Sequence, residues 1–338
     1  MKRERKEILL AVILLIPSGI GYVSTRVNYD ILSYLPDSLE TVKGQDVMVD
    51  EFGMGAFSMI VVEDMSMKDA AALEKKIEAI DHVEDVLWYD DALDISVPTK
   101  MMPDKLRKAF FNGDATMMIA LFDNTTSADD TMDAIANIRK TVGKSAFAAG
   151  MSGVVTDIKD LALKEMPVYV MIAAALVLVV LLITMESFVT PLIFLATIGM
   201  SIVYNLGSNF IFGETSYITQ ALTAVLQLGV TMDYSIFLLE SYEANKERFP
   251  DDNKRAMKHA ITNTFVSVSS SSLTTIAGFL ALCSMTFRLG TNIGIVMSKG
   301  VIIGVIACVT VLPALILTFD KAIEKTSHKS LLPNLDGL

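Results

Sequence analysis

The chain has 338 residues, 52% of them hydrophobic, and a mean hydropathy of +0.49. That is more apolar than a soluble fold needs, so a lipid bilayer is the first environment to consider. A formal charge of −11 excludes nucleic acid as a partner, because nucleic acid requires a basic face. The excess is local: 14 Lys+Arg against 26 Asp+Glu lie between Arg26 and Glu165. An acidic soluble domain therefore sits within an otherwise nearly neutral membrane protein. Cys283 and Cys308 both fall in apolar runs and read as small hydrophobes rather than a disulfide. His82, His259 and His328 are too scattered for a metal site, and no metal or cofactor is expected.

In chain order, the basic start Lys2-Arg3-Glu4-Arg5-Lys6 precedes the uncharged run Ile8–Thr25. Its apolar core is long for a signal peptide and no small-residue cleavage site follows, so it reads as a retained first span over residues 1–25. Residues 26–165 then alternate between strand-like and helix-like patterning. Strands are expected at Phe57–Glu63, Val83–Tyr89, Thr116–Phe122 and Ser145–Ala149, and helices at Ser66–Ile80 and Ser127–Val142. A linker flanked by Pro98 and Pro103 leads to a further short helix. The order β-α-β-(α)-β-α-β fits a split βαβ domain of ferredoxin-like type. Asp90, Asp91 and Asp94 read as a solvated face. Lys144-Ser145 resembles the end of a phosphate loop, but Ile138 stands where that loop needs glycine. Without an ATPase module, uphill work must draw on an ion gradient.

Five more charge-poor runs fill residues 166–319: Met166–Met185, Ser187–Gly213, Thr215–Leu239, Ala260–Phe287 and Leu289–Phe319. Each is long enough to span a bilayer. The linker at about 241–263 reads as an amphipathic helix on the cytoplasmic surface, broken at Pro250-Asp251-Asp252. The short segments rich in Lys and Arg are the N-terminal start, this linker (Lys246, Arg248, Lys254, Arg255, Lys258) and the tail at 320–338 (Lys321, Lys325, Lys329). By the positive-inside rule both termini are cytoplasmic and residues 26–165 are extracytoplasmic.

Only two charges interrupt these spans, Asp233 in the fourth and Lys299 in the sixth. A carboxylate at that depth costs roughly 2.5–3.5 kcal/mol on insertion scales, and desolvation penalises its charged form. One reading is a proton relay, with Gly229 one turn earlier leaving room for a neighbour and Tyr234 adding a hydroxyl. The other is a structural ion pair with Lys299. Counted from the outer ends of their helices the two differ by about 13 Å in depth at 1.5 Å per residue, so pairing needs a shifted boundary or water. In the fifth span Ser267, Ser271, Thr274 and Gly278 share one helix face. That face serves either to carry water or protons past Asp233 or to bind helices together. Gly300 and Gly304 form a close-packing GxxxG pair, and Pro313 kinks or ends the sixth helix.

These residues carry a resemblance. One span, a ferredoxin-like outside domain and five spans with Asp-Tyr in the fourth resemble half of a resistance–nodulation–division (RND) transporter. The chain is most similar to the mycobacterial membrane protein large (MMPL) branch, whose five-helix block also resembles sterol-sensing domains. The matching stretches are Gly229-Val230-Thr231-Met232-Asp233-Tyr234-Ser235, Ser272-Leu273-Thr274-Thr275-Ile276-Ala277-Gly278-Phe279, Gly294-Ile295-Val296-Met297-Ser298-Lys299-Gly300 and Leu312-Pro313-Ala314-Leu315. Asp30-Ile31-Leu32-Ser33-Tyr34-Leu35-Pro36-Asp37 fits the start of the family's outside domain.

The resemblance implies export of hydrophobic or amphiphilic molecules, lipids or drugs, across the cell membrane by proton antiport. Asp233 would carry the proton and Tyr234 would partner it, with Gly229, Ser271, Thr274 and Lys299 supporting the relay or the helix packing. Family members typically carry two such halves, so a second six-helix half is expected, either a homodimer mate or a C-terminal continuation. Membrane lipids and an amphiphilic substrate are the other partners. The alternative is a lipid-sensing or scaffold membrane protein that does not transport. No nucleophile–base pair or metal set suggests an enzyme.

Overall fold

The computed structural model describes residues 3–52, 55–144 and 146–328. Lys2, Ser145 at the start of the expected last strand, and Lys329 with the rest of the tail lie outside the described residues. The chain divides into two compact units, residues 1–28 with 164–338, and residues 29–163.

Among the described residues six helices are long and apolar enough to cross a membrane, and the protein is a multi-pass membrane protein. Helix α1 (Arg3–Ser24) is followed by the short strand β1 (Arg26–Asn28). Within the 29–163 unit come α2 (Glu40–Phe52), β2 (Ala56–Val62), α3 (Met67–Glu78), β3 (Val83–Leu87), α4 (Asp104–Phe110), β4 (Phe111–Asn112), β5 (Ala115–Phe122), α5 (Asp129–Val142) and β6 (Ala146–Ala149). Helix α6 (Met151–Thr184) carries the boundary between the units. After it come α7 (Val189–Gly207), β7 (Glu214–Ser216), α8 (Tyr217–Arg248), α9 (Asn253–Ala281) and α10 (Arg288–Lys325).

The 29–163 unit is built on an antiparallel sheet in the order β3-β5-β2-β6, with β4 paired to β5. Strict alternation makes β2 and β5 two-faced: Ala56, Ile60, Val62, Met118, Ala120 and Phe122 are buried. Helices α3 and α5 bury Ala70, Leu73, Ile77, Ile135 and Ile138 in the same core. Ser66 caps α3 by accepting from Asp69 N at 3.2 Å. Helix α2 has no counterpart among the sequence expectations.

The acidic run after β3 is more than a solvated face. Asp91 accepts from Trp88 N, and Asp94 accepts from Ser96 N and Oγ. Glu74 of α3 is 7% exposed and lies within hydrogen-bonding reach of Asp90. Burial first, then the neighbouring Asp90, pushes the Glu74 carboxyl up to about 8. One oxygen of Asp90 is buried without a hydrogen-bond partner. Two carboxyls so placed satisfy each other only by sharing a proton.

In the first unit α7, α8 and α10 form the packed centre, whereas α1, α6 and α9 keep most of their apolar surface uncovered. Helices α1 and α7 cross closely: a Cβ on Gly21 or Gly207 would collide with the other helix's backbone. The Tyr204 hydroxyl donates to Ala11 O at 2.6 Å across the same seam. Residues 241–263 form the last turns of α8 and the first of α9, which meet at the turn over Pro250-Asp251-Asp252. That end is tied by a polar cluster in which Asp320 accepts from Tyr242, Lys246 and Asn253. Pro313 lies inside α10, which continues to Lys325.

Candidate functional site

Helix α8 carries a polar stripe and an apolar one on opposite sides. Toward the bundle interior, Thr219, Thr223, Gln227, Thr231 and Ser235 recur every fourth residue, and all are buried. Away from it lie Leu222, Val225, Leu226, Gly229, Asp233 and Phe237, all exposed. Asp233 thus interrupts an apolar stripe that no described residue covers, and it makes no ion pair among the described residues. A Cβ at Gly229 would meet nothing within 4 Å.

Tyr234, next in sequence, turns the other way and is only 2% exposed. Its hydroxyl is directed at Ser271 and Thr275 of α9 without reaching full hydrogen-bond geometry. Its carbonyl accepts from Cys308 Sγ at 3.3 Å, which fixes α8 against α10. Ser271 and Thr274 are themselves exposed, as are Ser267 and Gly278. The Thr274 and Thr275 hydroxyls donate back to Ser271 O at 2.7 and 3.1 Å, as helical Ser and Thr commonly do. Tyr234, Ser271 and Thr275 therefore meet between α8 and α9, while Asp233 lies on the side of α8 that the described residues leave open.

Lys299 lies elsewhere. Its Nζ donates to Asn205 O at 3.0 Å and to Asn209 Oδ1, and it stands 5.1 Å from the Phe212 ring centre. Asn205 O is among the last carbonyls of α7, where the helix dipole favours a cation. The lysine caps that helix and is not joined to Asp233.

Sequence reasoning overlooked Ser201, Asn205 and Gln227. Asn205 Nδ2 donates to Gln227 Oε1 at 3.0 Å and to Val296 O at 3.2 Å, and Gln227 Nε2 donates to Ser201 Oγ at 2.7 Å and to Gly300 O at 3.1 Å. Gly300 and Gly304 make this possible. A Cβ on either would come under 3.0 Å from Asn205 Nδ2 or Thr231 Cγ2 respectively. The GxxxG pair thus seats α10 on the polar stripes of α7 and α8. The available signal was fourfold spacing, Thr197-Ser201-Asn205-Asn209 in one span and Thr219 to Ser235 in the next.

The sequence model of the MMPL family matches residues 35–331. The chain belongs to the MMPL family. MMPL proteins form a branch of the RND superfamily, and the curated relatives agree. The putative membrane protein MJ1562 of Methanocaldococcus jannaschii is 23% identical, over 95% of this chain and 92% of its own. The probable transport protein MmpL12 of Mycobacterium tuberculosis is 25% identical over 73% of this chain, but this MMPL chain spans only 22% of it. The probable transport protein MmpL4 of Mycobacterium leprae is 25% identical over 76% of this chain and 28% of its own. A crystal structure of SecDF in its super-membrane-facing form aligns with a TM-score of 0.45 at 10% identity, covering 95% of this chain and 38% of that one.

Proposed function

We propose that this MMPL chain forms one six-helix half of a proton-driven exporter of hydrophobic or amphiphilic molecules, a transporter and not an enzyme. Asp233 carries the proton, Tyr234 partners it, and the gradient across the cell membrane supplies the energy. One observation carries the reading: Asp233 stands exposed in the middle of an apolar transmembrane stripe, beside a buried tyrosine whose hydroxyl faces Ser271 and Thr275. A carboxylate left facing hydrocarbon costs about 2.5–3.5 kcal/mol, so this edge calls for cover by protein and water. A second six-helix half provides that cover and sets two such edges face to face. The names of the mycobacterial relatives support transport. The archaeal relative, covered over 92% of its length, supports a second copy of this chain as the mate.

The remaining parts follow the same reading. The strand order β3-β5-β2-β6, with α3 and α5 as crossovers, supports a ferredoxin-like domain inserted after the first span. The distribution of Lys and Arg supports placing that domain outside and both termini inside. The test is reconstitution in liposomes with an imposed pH gradient, following amphiphile flux and internal pH together. Asp233→Asn should abolish both while inserting normally. Undiminished coupled flux in that variant would sink the proposal, and saturable lipid binding indifferent to an uncoupler would favour a sensor or scaffold.

A further inference from the structure

The 29–163 unit is acidic as a whole, yet one cleft in it is not. A cavity of about 810 Å³ lies where the chain leaves β2, at the turn over Thr99–Met101, and along α4 and the β4–β5 hairpin. Its apolar wall consists of Met65, Met67 and Phe111, half-buried side chains that pack against the sheet core. Its rim carries Lys100, Arg107 and Lys108. Arg107 is held by Asp104 one turn away, at 2.5 Å. Lys100 and Lys108 make no ion pair among the described residues. Asp64 and Asp114 also line the cleft, so its charge is three positive against two negative, within a segment that holds 14 basic and 26 acidic residues.

Two residues lining this cleft have left-handed backbone. Asp64 leaves β2 with a φ of 51°, a left-handed conformation that a non-glycine residue adopts at a cost. Gly113 turns the hairpin at a φ of 62°. The size falls within the usual range of small-molecule sites. An apolar wall beneath a cationic rim suits a ligand with one hydrocarbon end and one anionic end. Lysine ammonium groups bind phosphate and carboxylate as compact charges.

We infer that this cleft is a binding site for anionic amphiphiles, with the hydrocarbon on Met65, Met67 and Phe111 and the anionic head between Lys100 and Lys108. The inference rests on the exporter reading and names its substrate class.

The test uses the full chain in phosphatidylcholine nanodiscs, with dodecyl phosphate as the probe and no gradient. Saturable binding is expected, with no competition from inorganic phosphate or dodecyltrimethylammonium. Competition by dodecanoate would mean that any anionic head suffices, and its failure would narrow the head to phosphate; both support the site. Lys100→Glu with Lys108→Glu should weaken binding at least about tenfold, the scale of a lost charge-assisted contact. The double arginine variant should retain binding, and Trp88 emission checks that the unit is folded. A photoreactive tail should label Met65, Met67 or Phe111. Equal competition by the cationic amphiphile, unchanged binding in the glutamate variant, or label confined to the spans would overturn the assignment. Binding that persists in Asp233→Asn without flux leaves the cleft standing and removes the exporter. Coupled flux without binding here does the reverse.

Discussion

The GxxxG contact makes a sharp test of how the spans pack. In Gly304→Ala the new methyl would come under 3.0 Å from Thr231 Cγ2 and 3.2 Å from its Cβ, against about 3.5–4.0 Å for relaxed carbon contacts. Thr231 cannot simply rotate away, because its hydroxyl donates to Gln227 O at 2.6 Å and the residue is 3% exposed. Overpacking of this kind costs about 1–3 kcal/mol. For a unit of about 200 residues each kcal/mol lowers the melting temperature by about 2–4 °C, so a drop of about 2–12 °C is expected. Cys308, buried between α10 and α8, is the natural reporter: a thiol-reactive fluorogenic dye in a Cys283→Ser background reads its exposure on heating. Adding Thr231→Ser removes the clashing methyl and keeps the hydroxyl, so the double variant should recover most of the loss. A Gly304→Ala protein as stable as its parent would refute the packing argument, as would a double variant that simply sums the two losses.

Three further outcomes follow from the same structure. Gly229→Leu, at a position open on all sides, should leave that melting temperature unchanged but abolish cross-linking between engineered cysteines at Leu222 of two chains; a large stability loss would mean that the stripe is already packed within the chain. Lys299→Met strands Asn209 Oδ1 and leaves Asn205 O to Ser208 Oγ, and should destabilise by about 1–3 kcal/mol. That effect should add to whatever Asp233→Asn does, since the two side chains share no partner; strong non-additivity in melting would restore the ion-pair reading.

The last concerns pH. Glu74 is held at about 8 in the fold against an ordinary 4.5, so between those values the folded state binds more protons than the unfolded one. Stability of the 29–163 unit should therefore fall as pH rises from about 4.5 to 8 and level off above. Glu74→Gln should flatten the slope and be the more stable protein at pH 8. The only tryptophan, Trp88, is buried in this unit and reports its melting. An unchanged pH profile in the variant would remove the shared-proton account.

Much of this molecule is legible along the chain. Apolar run length marks all six spans because each helix must satisfy its own backbone and present hydrocarbon over a fixed thickness. Short apolar runs mark strands at Phe57–Glu63 and Thr116–Phe122, and the structure has them at Ala56–Val62 and Ala115–Phe122 with alternating burial. Helix α2 escaped because its composition carries little amphipathic signal, and the burial of Glu74 escaped because a lone acid on an amphipathic helix looks solvated. The Asn205–Gln227 cluster escaped for a different reason. The spans are marked by runs without charge, and uncharged polar residues such as Asn205 and Gln227 do not interrupt such a run.

By itself the sequence determined that the chain crosses a membrane, that a carboxylate lies deep in the fourth span with a tyrosine beside it, and that Gly300 and Gly304 lie one turn apart on one face. These are properties of single helices, fixed by composition and a 3.6-residue period. Only the tertiary structure decided which side of α8 faces inward, sending Tyr234 to α9 and leaving Asp233 on the open edge, and where Lys299 reaches. Rotation about a helix axis depends on its neighbours, here on the close seat that two glycines give α10 against Gln227 and Thr231. The lysine followed the free carbonyls at the end of α7, a partner that no spacing along its own helix could reveal.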